Sequence, residues 1–174
     1  MYNLDTFYPT IIHEDYLLDP SIMDLLITDK GKKRNATLYA SNDKHNPHLA
    51  FIRDITSGFL EMNDFKHNKN KWYMDVIRYQ LNNDTKGIDS GLAWHCENDN
   101  CEDVITVLMY LHLDETIKDG NLRYKDKNNN KQVLEIKSGI TVIMDGNVPH
   151  KPQDPYGTGK RDLIIMSFEK DSDV

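Results

Sequence analysis

Apolar residues in the second half of the chain come in short, dense runs. They are Gly91 to His95, Val104 to Leu113, Leu122 to Lys125, Gln132 to Lys137, Ile140 to Met144 and Asp162 to Phe168. Short runs rich in β-branched and aromatic residues predict strands. The breaks between them carry Asp119-Gly120, Asn128-Asn129-Asn130, Ser138-Gly139 and Asp145-Gly146. These residue types suit tight turns. Val104 to Leu111 is apolar on both faces, as expected of a strand buried between two layers.

The first half has a longer period. Asp19-Pro20-Ser21 precedes Ile22, Met23, Leu25, Leu26 and Ile27, which predicts a short helix with proline near its start. Lys30-Gly31-Lys32-Lys33-Arg34 ends it, either as a solvated basic turn or as a substrate-side patch. Thr37 to Ala40 is a candidate strand, followed by a polar loop from Ser41 to Pro47. From His48 to Met62 apolar residues recur in steps of three and four, predicting a helix packed on the sheet. Gly58 weakens that helix by about 1 kcal/mol relative to alanine. Asn63 to Lys71 reads as a loop, Trp72 to Leu81 as a strand and Asn82 to Ser90 as a loop.

Strands joined by short turns, with helices confined to the N-terminal part, predict a mainly β (α+β) sandwich or barrel. No repeat or linker divides the chain. The expectation is one domain over residues 1–174, with 1–71 as a helical support region and 72–170 as the β core.

Composition narrows the setting. The chain has 174 residues, 39% apolar and 28% charged, enough for a core in a globular protein. No apolar run approaches the roughly 20 residues needed to span a membrane. Met1-Tyr2-Asn3-Leu4-Asp5 lacks the basic and apolar regions of a secretory signal. Cys96 and Cys101 are too few for a disulfide framework. An intracellular, cytoplasmic protein with no membrane partner is therefore expected. A net charge of -7 offers no general attraction to nucleic acid, although a local basic patch is compatible with it.

The candidate chemistry starts at Trp94-His95-Cys96-Glu97. His95 and Glu97 are two apart, so on a strand they share a face. His150 follows an apolar strand and the turn Asp145-Gly146-Asn147. Two imidazoles and a carboxylate form the ligand set of a facial triad for non-haem Fe(II). A zinc reading using His95, Cys96 and Cys101 is weakened because alternation turns Cys96 away from His95. Asp99 is an alternative carboxylate, and His112 could reach the same pocket. Arg161 shares a strand face with Leu163 and Ile165, while alternation turns Asp162 the other way. A guanidinium on an apolar face needs an anionic partner.

These pieces resemble the Fe(II)- and 2-oxoglutarate-dependent dioxygenases, whose fold is the double-stranded β-helix, or jelly roll. His95-Cys96-Glu97 is similar to the family's His-x-Asp/Glu, and His150 to its distal histidine. Arg161, in Gly159-Lys160-Arg161-Asp162-Leu163, matches the basic residue on the following strand. Thr106 to Leu111 and Asp119 to Tyr124 are similar to the prolyl-hydroxylase branch, and the likeness runs over residues 72–168. It implies Fe(II) at His95, Glu97 and His150, 2-oxoglutarate and O₂ as cosubstrates, and allows ascorbate as a reductant. It assigns Arg161 and Tyr110 to the far carboxylate of 2-oxoglutarate, with Tyr79 lining the pocket. For both Tyr110 and Tyr79 a core aromatic is the alternative reading.

Two departures stand out. Glu97 replaces the usual Asp, and Leu163 stands where many relatives carry a small hydroxyl residue. The prolyl-hydroxylase likeness implies a protein or peptide substrate and the hydroxylation of a side chain. The AlkB-like nucleic-acid demethylases are an alternative, but they carry a second arginine where this chain has Ser167. A non-catalytic cupin-like binding domain is the other alternative. Gly139, Gly146 and His150 resemble half of its pattern, and the two-histidine first half is absent.

Overall fold

The structure, a computed structural model, describes residues 10–27, 34–83, 93–96 and 103–171. In chain order the elements are β1 (Thr10–His13), α1 (Ile22–Leu26), β2 (Arg34–Ala40), a 3-10 turn (Ser41–Asp43), α2 (Pro47–Met62), β3 (His67–Asn83) and β4 (Val104–Leu113). They continue with β5 (Lys118–Asp119), β6 (Leu122–Lys125), β7 (Lys131–Leu134), β8 (Thr141–Asp145), β9 (His150–Pro152) and β10 (Pro155–Lys170).

The larger sheet has the order β1-β8-β4-β10-β3-β2, with β5 attached to β10. The smaller sheet runs β7-β6-β9 and gains His95 through a single bridge to His150. From β3 onward the chain passes back and forth between the sheets, and neighbouring strands are antiparallel. This is the jelly roll, or double-stranded β-helix, that the strand pattern and the resemblance predict. Helices α1 and α2 lie in the N-terminal part, as expected, but β1 and β2 from the same region extend the large sheet at both edges.

Strand alternation divides the core in two. Trp72, Met74, Val76, Ile105, Val107, Met109, Ile164 and Met166 pack with α1 and α2 on one face of the large sheet. Ile77, Leu108, Tyr110, Val142, Met144 and Leu163 point into the β-helix, where they meet Leu122, Ile136 and Val148. β4 feeds both clusters, which accounts for its unbroken apolar sequence. α2 starts as its sequence dictates: Pro47 opens the first turn, and the Asn46 side chain accepts the His48 N–H at 3.0 Å. Its apolar face buries Leu49, Ile52, Phe59 and Leu60. Gly58 faces open space, with nothing within 4 Å of a built Cβ.

Several segments differ from the pattern-based expectation: β1, β5 and β9 are not among the expected strands, β2 starts at Arg34 rather than Thr37, and four more differ as follows. β3 starts at His67, inside the expected polar loop. His67 is buried: its Nδ1–H donates to the Phe65 carbonyl at 3.0 Å and its Nε2 accepts the Ser57 hydroxyl at 2.8 Å. Satisfied polar groups hide this part of the strand from a hydrophobic pattern. β10 starts at Pro155, well before Asp162, because backbone pairing to β5 and to the end of β3 holds a segment with little apolar signal. β7 stops at Leu134, since the Ile136 N–H donates to the Asn121 side chain at 3.1 Å instead of a neighbouring strand. Of the strand expected over Gly91–His95, the described part makes one bridge only. Among the described residues no helix is long and apolar enough to cross a membrane.

Candidate active site

His95 and His150 face each other across the smaller sheet. Each backbone N–H donates to the other's carbonyl, at 3.1 and 2.9 Å. Their rings lie 4.5 Å apart between centroids, tilted by 55°. His95 Nδ1 is 3.0 Å from the Ala93 carbonyl, and His150 Nδ1 is 3.0 Å from the Val148 carbonyl. A carbonyl can only accept, so each Nδ1 carries a hydrogen, which in a neutral ring leaves the lone pair on Nε2. A histidine that binds a metal through Nε2 is commonly held this way, with Nδ1 at an outer acceptor. The two residues share a binding geometry although 55 positions separate them (150 − 95).

The turn before His150 is fixed from inside. Asp145 is fully buried; its carboxylate accepts the Asn147 N–H at 2.9 Å and the Lys170 ammonium at 2.8 Å. Cys96 Sγ lies 3.6 Å from the Asn147 carbonyl, which ties the two histidine-bearing segments together. Glu97, Asp99 and Cys101 lie outside the described residues. Among the described residues no three His, Cys, Asp or Glu side chains converge as a metal site.

Arg161 sits on the inner face of β10 and is only 2% exposed. Among the described residues its Nε has no hydrogen-bond partner. Its guanidinium carbon lies 5.4 Å from the centroid of the Tyr79 ring and 5.4 Å from that of Tyr110. Register explains the box: Tyr79 is the direct partner of Arg161 on β3, and Tyr110 is the partner of the neighbouring Leu163 on β4. Cation–π contact with two rings lowers the cost of burying the head but supplies no acceptor for its N–H groups. The three residues singled out for an anion are thus together. Arg34, the end of the basic Lys30–Arg34 run, lies over the other partner position of Tyr79, 5.5 Å from its ring. The rest of that run lies outside the described residues.

Asp162 points to the helix face, as alternation predicts. It is fully buried and accepts two hydrogen bonds from Arg78, at 2.7 and 2.9 Å. The Asp162 hydrogen bond holds the Arg78 guanidinium even further above its ordinary pKa. His112, a candidate for the pocket, is instead 2.9 Å from the Asp114 carboxylate. A register shift between Asp162 and Leu163 takes it out of simple alternation with Tyr110. One further site residue, Gly120, was visible in the sequence only as half of an Asp-Gly turn. A Cβ built on it would fall 2.5 Å from Arg161 Nη1.

No protein-family model matches the chain, and no curated protein sequence matches it. Solved structures do. The 2-oxoglutarate complex of the viral collagen prolyl hydroxylase of Paramecium bursaria Chlorella virus 1 is 16% identical, with a TM-score of 0.58, over 98% of this chain and 99% of that one. A Pseudomonas putida prolyl-4-hydroxylase is 12% identical, with a TM-score of 0.58, over 98% and 96%. HygX of Streptomyces hygroscopicus, solved with nickel and 2-oxoglutarate bound, is 11% identical, with a TM-score of 0.58, over 97% and 85%. The chain has the double-stranded β-helix fold of the prolyl-hydroxylase-like 2-oxoglutarate oxygenases.

Proposed function

We propose that this protein is an Fe(II)- and 2-oxoglutarate-dependent dioxygenase that hydroxylates a side chain of a protein or peptide. The observation that carries the reading is the His95–His150 pair, with rings 4.5 Å apart and both Nδ1 atoms at main-chain carbonyls. A buried arginine with an unpartnered Nε on the same β-helix interior supports it. The residues present fit both groups: imidazole nitrogens suit a divalent transition metal, and a guanidinium suits a carboxylate.

In this reading His95 and His150 hold Fe(II) through Nε2, and Glu97 completes the triad. Arg161 binds the far carboxylate of 2-oxoglutarate and fixes its orientation, and the Tyr110 hydroxyl is a second donor to it. Tyr79 walls the pocket. Leu163 and Ile77 keep water from the anchor, which strengthens its hold on the carboxylate. The bound metal would supply the oxidative decarboxylation of 2-oxoglutarate by O₂ to succinate and CO₂, coupled to hydroxylation of a substrate C–H bond. The net charge of -7 favours a protein or peptide substrate over nucleic acid. So does Ser167, which stands at the position of the second arginine of AlkB-like enzymes and shares a 2.9 Å hydrogen bond with Thr106.

The test is succinate formation from 2-oxoglutarate with and without Fe(II). Succinate should appear only with the metal and vanish in His150→Ala, with the folded far-ultraviolet spectrum retained. Succinate formation undiminished in His150→Ala would refute the assignment.

A further inference from the structure

Gly120, at the turn after β5, lies against the Arg161 head. Asp119 pairs with Pro155 across the strand, which fixes the turn to the start of β10. Gly120 follows with φ +78°, in the left-handed region that favours glycine. A Cβ at this position would lie 2.5 Å from Arg161 Nη1, 3.2 Å from its Cζ and 3.2 Å from the Pro155 Cβ. The guanidinium thus rests against bare backbone on one side and against the Tyr79 and Tyr110 rings on others. An arginine side chain has several torsions and tends to carry its charge outward to water. Here it stays 2% exposed, with its Nε unpaired among the described residues. The walls around the head therefore decide where its donors point.

We propose that Gly120 is a positioning residue for the anion anchor. By having no side chain, it seats the Arg161 guanidinium where its donors face the interior of the β-helix. This deepens the oxygenase reading and rests on Arg161 binding the far carboxylate of 2-oxoglutarate. It assigns to Gly120 more than turn geometry, and the two roles separate experimentally. Asparagine tolerates positive φ better than other side chains, so Gly120→Asn keeps most of the turn while adding the Cβ.

The experiment uses the full chain loaded with Co(II), whose visible absorption reports binding at the metal. Two ligands are titrated: 2-oxoglutarate, and oxalate, which chelates a metal but has no far carboxylate. Gly120→Asn should weaken 2-oxoglutarate by about tenfold or more, the worth of a charge-assisted hydrogen bond, and leave oxalate within about twofold. In an Arg161→Lys background the Nη1 atom is gone, so adding Gly120→Asn should cost no more than about threefold further.

An equal loss for both ligands, or the same loss in the Arg161→Lys background, would overturn the inference and leave the oxygenase reading standing. If Gly120→Asn does not fold, the clash predicts that Gly120→Asn with Arg161→Lys does; failure of that pair also overturns it. If the unsubstituted protein binds oxalate but not 2-oxoglutarate, the anchor reading falls and the inference with it.

Discussion

Arg161 and Asp162 are adjacent, both buried, and handled in opposite ways by the two faces of one strand. On the helix face the protein completes the charge itself. Asp162 receives a two-point hydrogen bond from Arg78, and Arg78 also reaches Asp24 of α1 at 2.7 Å. Inside the β-helix the charge is left incomplete. Arg161 meets two aromatic rings and a glycine, and among the described residues its Nε finds no acceptor. Both are buried ions, so burial alone does not mark a functional residue. What differs is whether the chain supplies the counter-charge. A buried ion with its partners is architecture; one left without a partner among the described residues is the kind we propose for a ligand.

The comparison breaks most visibly on the paired face. Removing the Asp162 carboxylate leaves Arg78 with only the exposed Asp24, beside a cavity in the sheet. Breaking a buried pair from one side costs about 3–5 kcal/mol. Asp162→Ala should therefore lower the urea-unfolding free energy by an amount of that order. A change of less than about 1 kcal/mol, the range of surface pairs, would mean that the pair is no more than a surface contact.

The unpaired face should respond with the opposite sign. Arg161→Met keeps the length and the contact with both rings while removing an ion that lacks an acceptor. An unsatisfied buried donor costs about 1–3 kcal/mol, so the ligand-free variant should be as stable as the natural chain or more stable by up to that amount. At the same time, the thermal stabilisation that 2-oxoglutarate gives the metal-loaded protein should disappear. Thermal unfolding with and without the cosubstrate measures both. A ligand-free variant destabilised as much as Asp162→Ala would erase the distinction between the faces.

Sequence reading reached one face better than the other. β4 occupies Val104–Leu113, the span its apolar run predicts, because a strand buried on both faces needs little besides apolar residues. His95, His150, Arg161, Tyr110 and Tyr79 were visible as residue types at telling spacings, and the fold brings the two histidines into one group and Arg161 with its tyrosines into another. The Arg78–Asp162 pair was not visible, since its members lie 84 residues apart and only strand pairing joins them. Polar strand ends were lost for a related reason. His67 is held by Ser57 and a carbonyl, and the glycine-bearing Pro155–Lys160 by backbone pairing to β5 and the end of β3, so neither leaves an apolar trace. Gly120 looked like any turn glycine until Arg161 was placed against it.

The smallest effect, and the most selective, concerns Tyr110. Its ring and its hydroxyl contribute to different things. The ring, 2% exposed, fills the inner cluster and lies 5.4 Å from the Arg161 head. Phenylalanine keeps that packing and the negative ring face, so Tyr110→Phe should change stability by less than about 0.5–1 kcal/mol. The hydroxyl is the part proposed to donate to the far carboxylate. Its loss should weaken 2-oxoglutarate by about 1 kcal/mol, a neutral hydrogen bond's worth, and leave oxalate binding unchanged. If Tyr110 is a core aromatic and nothing more, neither ligand will notice the substitution. Calorimetric titration under anaerobic conditions resolves a step of that size. The helix face has no counterpart: Asp162 has one role, and Asp162→Asn, though nearly isosteric, should still cost the paired face more than Tyr110→Phe costs the open one, because it removes the charge on which the pairing rests.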